Sequence, residues 1–296
     1  MTIWNLGSVN ADLVYRLPHL PAPGETLAAI THQRGLGGKG ANMSVAAARA
    51  GSHVKHIGAV GKDGVWMRER LSEYGVDVGH LAIVDVPSGH AIVALDAAQG
   101  QEGENLIIIH PGANIMVDSA KLGSVLAKAD PGDIAIFQNE TNAQLEFARL
   151  AKGLGLRVCY AAAPFSVDAV SAVLEFLDLL VLNEIEAEQL QGALGQKIED
   201  LPVADIVVTL GKDGCRWVHQ GQDARFDAPK VKPVDTTGAG DTFTGYLLAE
   251  LDRGLRMSQA IETAQKAGAV MVTRLGTADV IPTKPEIENF FESFET

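Results

Sequence analysis

Short apolar runs alternate with longer stretches of helical period along most of this chain. Residues 3–7 form an apolar run of strand length that ends in the turn Gly7-Ser8-Val9-Asn10-Ala11-Asp12. Residues 18–26, with Pro18, Pro21, Pro23 and Gly24, are too proline-broken for a helix or a central strand. Gly35-Leu36-Gly37-Gly38-Lys39-Gly40 then leads into a small-residue helix over 41–50, followed by a strand over 54–60 and a helix over 63–74. Between 81 and 110 the pattern changes. Residues 91–95 and 106–109 read as strands joined by a polar, glycine-bearing turn over 99–105, a hairpin standing off the main sheet. From 133 onward the alternation is regular, with strands over 134–137, 157–160, 179–182 and 206–210 and helices over 142–153, 167–176 and 184–190. Helices from 240, over 258–270 and over 285–294 close the chain. Such alternation predicts a parallel sheet covered on both faces. No internal repeat, low-complexity tract or linker divides the chain, so residues 1–296 are expected to form one domain.

Composition narrows the function classes. Hydrophobic residues make up 47% of the chain and aromatics only 5%, which suits closely packed strands and helices. The net charge of -13 argues against nucleic acid or an anionic membrane as partner. A phosphorylated ligand stays compatible, because local donors and a metal ion offset the field. Two cysteines are too few for a disulfide scaffold, and Cys159 sits in an apolar run as plain core. With no basic leader and no stretch near the ~20 apolar residues of a membrane span, a soluble cytoplasmic protein is expected.

The chemistry concentrates in Asp235-Thr236-Thr237-Gly238-Ala239-Gly240-Asp241-Thr242-Phe243. Gly238, Ala239 and Gly240 precede an apolar helical run, so backbone N–H groups and the helix dipole converge on one spot, as a phosphate requires. Asp241 stands at that positive pole. A lone aspartate there reads equally well as an N-terminal cap, but the motif is longer than a cap needs. An acid beside an anion cradle suits phosphoryl transfer, as a base for an attacking hydroxyl. Gly35-x-Gly37-x-x-Gly40 matches the dinucleotide fingerprint of oxidoreductases, yet no strand is predicted directly before it. A Walker A sequence is absent. Asn10 and Asp12, then Gly38, Lys39 and Asn42, then Glu140, Asn183 and Glu186 all follow predicted strands or open predicted helices. Taken singly they read as turn or cap residues; together on one rim they suit a polyhydroxylated ligand. The eight histidines are scattered, and no zinc set or serine triad is formed.

These motifs resemble those of the ribokinase-like (PfkB) carbohydrate kinases along nearly the whole chain. The matching pieces are 7–12, Pro23-Gly24-Glu25-Thr26, Gly37-Gly38-Lys39-Gly40-Ala41-Asn42, Gly103-Glu104-Asn105, Asn183-Glu184-x-Glu186, Thr209-Leu210-Gly211 with Gly214, and 235–243. The resemblance implies a three-layer α/β/α sandwich with a mostly parallel sheet and a small β lid from about 12–34 and 88–110. It implies ATP-dependent phosphorylation of a primary sugar hydroxyl, ribose to ribose 5-phosphate, with a nucleoside or another sugar as the alternative. A non-catalytic sugar-binding protein is the more distant reading. Asp241 matches the base and Gly238, Ala239 and Gly240 the amides facing the phosphoryl group. Asn10, Asp12, Gly38, Lys39, Asn42 and Glu140 match sugar-binding positions. Asn183, Thr209, Gly211, Gly214 and Gly240 match nucleotide positions. Glu186 matches the glutamate of a Mg²⁺–water network, and Asp235, Thr237, Arg274 and Gly276, mainly by backbone, match a K⁺ site. A homodimer through the lids is expected, because the apolar run 107–109 needs cover. Ala161-Ala162-Ala163-Pro164 and Gln265 depart from the family pattern, and 192–204 is short.

Overall fold

The computed structural model describes residues 1–96 and 105–293. Its first seven strands are β1 (Thr2–Leu6), β2 (Asn10–Leu17), β3 (Thr31–Gly37), β4 (His53–Gly61), β5 (Val76–Val84), β6 (Gly89–Asp96) and β7 (Asn105–His110). The later ones are β8 (Ile134–Phe137), β9 (Arg157–Ala161), β10 (Leu179–Asn183), β11 (Asp205–Thr209), β12 (Cys215–His219) and β13 (Gln222–Phe226). Four helices lie in the first half, α1 (Lys39–Arg49), α2 (Val65–Glu73), α3 (Ser119–Leu126) and α4 (Gln144–Gly153). The second half carries α5 (Val167–Val173), α6 (Glu184–Leu194), α7 (Ala239–Asp252), α8 (Met257–Met271) and α9 (Lys284–Glu292).

The main sheet runs β13-β12-β11-β10-β9-β8-β1-β4-β5. It is parallel from β11 to β5 and antiparallel only at β12 and β13. Its central strands are buried on both faces, and alternate residues pass to opposite layers. Ile3, Ile134 and Ile136 join the core shared with α1, α7 and α8, whereas Trp4, Leu6, Ala135 and Phe137 join the core shared with α3, α4 and α5. The result is an α/β/α sandwich. A second sheet, β3-β2-β6-β7, stands beside it, with β2 parallel to β6 and the other pairs antiparallel.

Several expectations need correction. A strand does run directly into the glycine-rich turn, because β3 ends at Gly37 and α1 opens at Lys39. The dinucleotide fingerprint still fails, for another reason: β3 belongs to the second sheet, so β3, α1 and β4 make no βαβ unit. Asn10 and Asp12 are not turn residues but open β2, and their polarity hides a strand that covers a site rather than a core. The segment read as a helix over 167–176 is α5 followed by a tighter turn at Leu174–Phe176. In the short stretch 192–204, α6 persists to Leu194 and one 3-10 turn, Ile198–Asp200, leads into β11. The predicted hairpin appears as β6 and β7, while most of its turn, including Gly103 and Glu104 of the Gly103-Glu104-Asn105 motif, lies outside the described residues; so does Phe294. Among the described residues no helix is long and apolar enough to cross a membrane.

Candidate active site

The C-terminal ends of β1, β8, β10 and β11 open on one rim of the parallel sheet, where α/β sheets place ligands. Two helix N-termini point into it. Gly38 precedes α1 at φ 92°, a conformation side chains resist, and Lys39 begins the helix. The Lys39 N–H donates to Glu140 Oε2 at 3.0 Å, and the Ser8 hydroxyl donates to the same oxygen. Gly238 at φ 72° opens α7, where Ala239, Gly240 and Asp241 are the first three residues. The Ala239 N–H is drawn to the Thr236 carbonyl at 3.3 Å. Gly240 and Asp241 fall where a helix offers no carbonyl one turn back, so their N–H groups face outward. A Cβ on Gly240 would meet nothing within 4 Å.

The small residues of α1 bring these two N-termini together. A Cβ on Gly245 would overlap Ala46, so α7 lies against α1 as closely as backbones allow. Asn42, on α1, therefore reaches Asp241 and donates to its Oδ2 at 2.8 Å. Asp241 is only 8% exposed. Burial pushes its carboxyl above the usual carboxylate range, and Lys39 and the Asn42 amide pull it back. Lys39 in turn is raised by Asp241 first, against its own burial, with Glu140 and Glu186 adding to the pull. Below the rim, Asn5 donates to the Gly40 carbonyl and to Ser44, both at 2.8 Å, and buried His56 spans Ser44 and the Gly7 carbonyl. Burial lowers His56 to about 4, leaving it a neutral structural strut.

Asn10 and Asp12 reach the same rim from β2. Asn10 Oδ1 accepts from Asn114 at 2.7 Å, and Asn114 Oδ1 accepts from the Val9 N–H at 2.9 Å. Asp12 lies where a side chain at Gly37 would otherwise stand. Burial raises it to about 6, helped by Glu140, Asp241 and Asp279 and opposed by a hydrogen bond from Thr277. Asn10, Asn114, Asn139, Glu140 and Thr141 share a cleft of about 210 Å³ with an apolar wall of Ile109, Pro111, Ile115 and Pro164.

Across the rim, Asn183 and Glu186 form the capping box of α6, each bonded to the other's backbone N–H at 2.8 Å. Burial raises Glu186, while the Asn183 N–H and Lys39 lower it. The Thr209 hydroxyl donates to the Leu182 carbonyl at 3.4 Å, and the turn after it holds Gly211 and Gly214. Gly214 has no room for a side chain against the Phe226 carbonyl, to which Gln265 also donates at 2.8 Å. Asp235 stands apart, accepting from the N–H groups of Thr237 at 2.9 Å and Gly276 at 3.2 Å. The Arg274 side chain is spent on the Val280 carbonyl and Glu286 and its N–H on the Met271 carbonyl at 3.0 Å, which leaves its own carbonyl for a ligand. Among the described residues no three His, Cys, Asp or Glu cluster as a metal set.

The sequence profile of the pfkB family carbohydrate kinases matches residues 3–284. The chain belongs to this family. The ribokinase of Haemophilus influenzae is 32% identical over 98% of this chain and 98% of its own. Among solved structures, the ribokinase of Thermotoga maritima superposes with a TM-score of 0.87 at 30% identity, covering 99% of each chain. The Arabidopsis thaliana ribokinase, solved with ribose and ATP, gives 0.84 at 28% identity over 98% of each. Within this pfkB kinase, three polar residues at the rim escaped the sequence reading. Asn114 hides in a proline-glycine turn, Thr277 acts across 265 residues of chain, and Ser8 reads as turn filler. Only Ser8, inside a matched motif, carried a usable signal.

Proposed function

We propose that the chain is an ATP-dependent sugar kinase that converts ribose to ribose 5-phosphate with release of ADP. One observation carries this reading: a buried carboxylate, Asp241, held by Asn42 and Lys39 at the amide-lined start of α7, beside Asn10, Asp12 and Glu140. Binding alone gains nothing from a buried base, so the geometry favours a catalyst over an idle sugar-binding protein. Family membership and the ribose and ATP held by the Arabidopsis relative support the same reading.

In this reading Asp241 takes the proton from the primary hydroxyl as its oxygen bonds to the γ-phosphorus of ATP. The bond from that phosphorus to the bridging oxygen breaks, and ADP leaves. The outward amides of Gly240 and Asp241, with the Gly238 turn, face the migrating group, whereas the Ala239 N–H expected to join them is turned to the Thr236 carbonyl, and Lys39 offsets the charge. Asn10, Asp12, Gly38, Asn42 and Glu140 bind the sugar, while Asn183, Thr209, Gly211 and Gly214 line the nucleotide side. Glu186 fits a Mg²⁺ role, because burial without a full counter-charge leaves its carboxylate receptive to a hydrated cation. When bound, that ion supplies charge neutralisation at the phosphates. Asp235, a carboxylate fixed by the N–H groups of Thr237 and Gly276, suits a monovalent cation such as K⁺ together with Thr237, Arg274 and Gly276. The second sheet acts as a lid, excluding water that would otherwise hydrolyse ATP.

The apolar side of the cleft favours a second reading, in which the wall of Ile109 and Ile115 receives a nucleoside base. A coupled ADP-release screen over pentoses, hexoses and nucleosides separates the two. Highest kcat/KM on ribose supports the first, highest on adenosine replaces it, and no acceptor-dependent ADP release at all sinks both.

A further inference from the structure

Leu36 lies on β3, one of the two edge strands of the second sheet, and turns both its N–H and its carbonyl away from β2. Its N–H donates to Asp279 Oδ2 at 3.3 Å, and its carbonyl lies 2.8 Å from the Thr277 hydroxyl. Two side chains spaced two residues apart thus stand in for the missing neighbour strand. Helices of the body brace the loop that carries them: Arg70 and Tyr74 bond Asp279 Oδ1, and Arg49 donates to the carbonyls of Asp279 and Ile281. The same Thr277 hydroxyl lies 2.9 Å from Asp12 Oδ2. It holds one proton for two acceptors, and an ionised carboxylate is the stronger of them. Asp12 Oδ2 is thereby committed, and among the described residues Oδ1 has no hydrogen-bond partner, which leaves it for a ligand.

We propose that Thr277 is a positioning residue for sugar binding, its hydroxyl fixing the Asp12 carboxylate while Asp279 latches the edge of the second sheet to the body. This rests on the reading that Asp12 binds the sugar. Thr277 touches neither the phosphoryl cradle nor the predicted nucleotide residues, so its effect should fall first on the sugar.

The test compares Thr277→Val, which keeps the shape, with Thr277→Ser, which keeps the hydroxyl, and with Asp12→Ala. Steady-state kinetics are read alongside sugar affinity by calorimetry without ATP. Thr277→Val should raise the sugar KM and Kd about tenfold, the scale of one lost hydrogen bond to a charged group. Its kcat should stay within about threefold and its ATP KM within about twofold, by the same reasoning. Thr277→Ser should restore most of the sugar affinity. An unchanged sugar KM in Thr277→Val while Asp12→Ala raises it overturns the proposal and spares the reading of Asp12. An unchanged KM in Asp12→Ala overturns both. Equal losses in kcat and both KM values, or a serine variant no better than valine, show a structural role instead. Should Thr277→Val unfold, Thr277→Ala is judged by the same ratios; should another sugar outrank ribose, they are read on that sugar.

Discussion

At the residue scale, two carboxylates with the same chemistry are asked to do different work. In the proposed reading Asp241 touches the hydroxyl that reacts, and replacing it by asparagine keeps its size and its bond to Asn42 while removing the base. Loss of a general base costs about 10²–10⁴ in rate, so Asp241→Asn should lose kcat on that scale and keep its calorimetric ribose affinity. A kcat near the wild-type value would remove Asp241 from the chemistry. In the same reading Asp12 binds rather than reacts, and its burial carries it to about 6. Below that pH it is protonated and loses acceptor capacity, so kcat/KM for ribose should fall as pH drops through about 6. Stability moves the opposite way. The folded pKa lies above the ordinary 3.8, so the favourable, protonated state holds at low pH and is lost as pH rises toward about 6. At neutral pH the ionised group costs roughly 3 kcal/mol on that shift, and Asp12→Asn should unfold at higher urea at pH 7.5 but not at pH 4. Equal midpoint gains at both pH values would show that the gain comes from something other than charge.

At the element scale, the helix that starts at Gly238 separates stability from function. Gly240 lies inside α7 with open space where a Cβ would stand, so alanine there should fold at least as well, by up to about 1 kcal/mol of helix propensity. If that space is where the phosphoryl group passes, Gly240→Ala should lose kcat while its melting temperature holds or rises. Full activity in a stable variant would place the phosphates elsewhere. Elements whose burial is two-sided were the legible ones. β8, β10 and β11 announce themselves as unbroken apolar runs because helices cover both faces of the sheet. β2 and β3 do not, since Asn10, Asp12, Arg16, His32 and Arg34 serve a half-exposed sheet and a ligand, not a core. The β12–β13 hairpin at the sheet edge and α3, with its Gly123, were missed for the same want of apolar contrast. Within the site, Asn42 and Asp241 each stand at the end of a recognisable glycine-rich run. Their contact depends on the close packing of Gly245 against Ala46, which no local pattern announces.

At the scale of the whole molecule, the parallel sheet gathers strand ends onto one rim, and the second sheet brings Asn10 and Ile109 to the cleft there. That sheet has too little body of its own. Leu106, Ile107, Ile108 and Ile109 on its outer strand β7 are each about half exposed, on both faces at once because neighbours along a strand alternate. An unpaired, uncharged apolar edge strand is an adhesive surface unless something covers it. Ile109 also lines the cleft beside Asn10, so one face turns to the proposed sugar site; the face bearing Leu106 and Ile108 does not. A second copy of the chain offers the same apolar strand and would bury both by a two-fold contact. The chain should therefore run as a homodimer in light scattering at micromolar concentration. Ile108→Lys, which places a charge in that contact, should yield monomers with the secondary structure intact by circular dichroism. Because the contact would steady the lid over the sugar, the monomer should lose ribose affinity more than ATP affinity. A wild-type mass equal to one chain would leave β7 to be covered by the molecule's own closure. A dimer that survives Ile108→Lys would place the interface on another face.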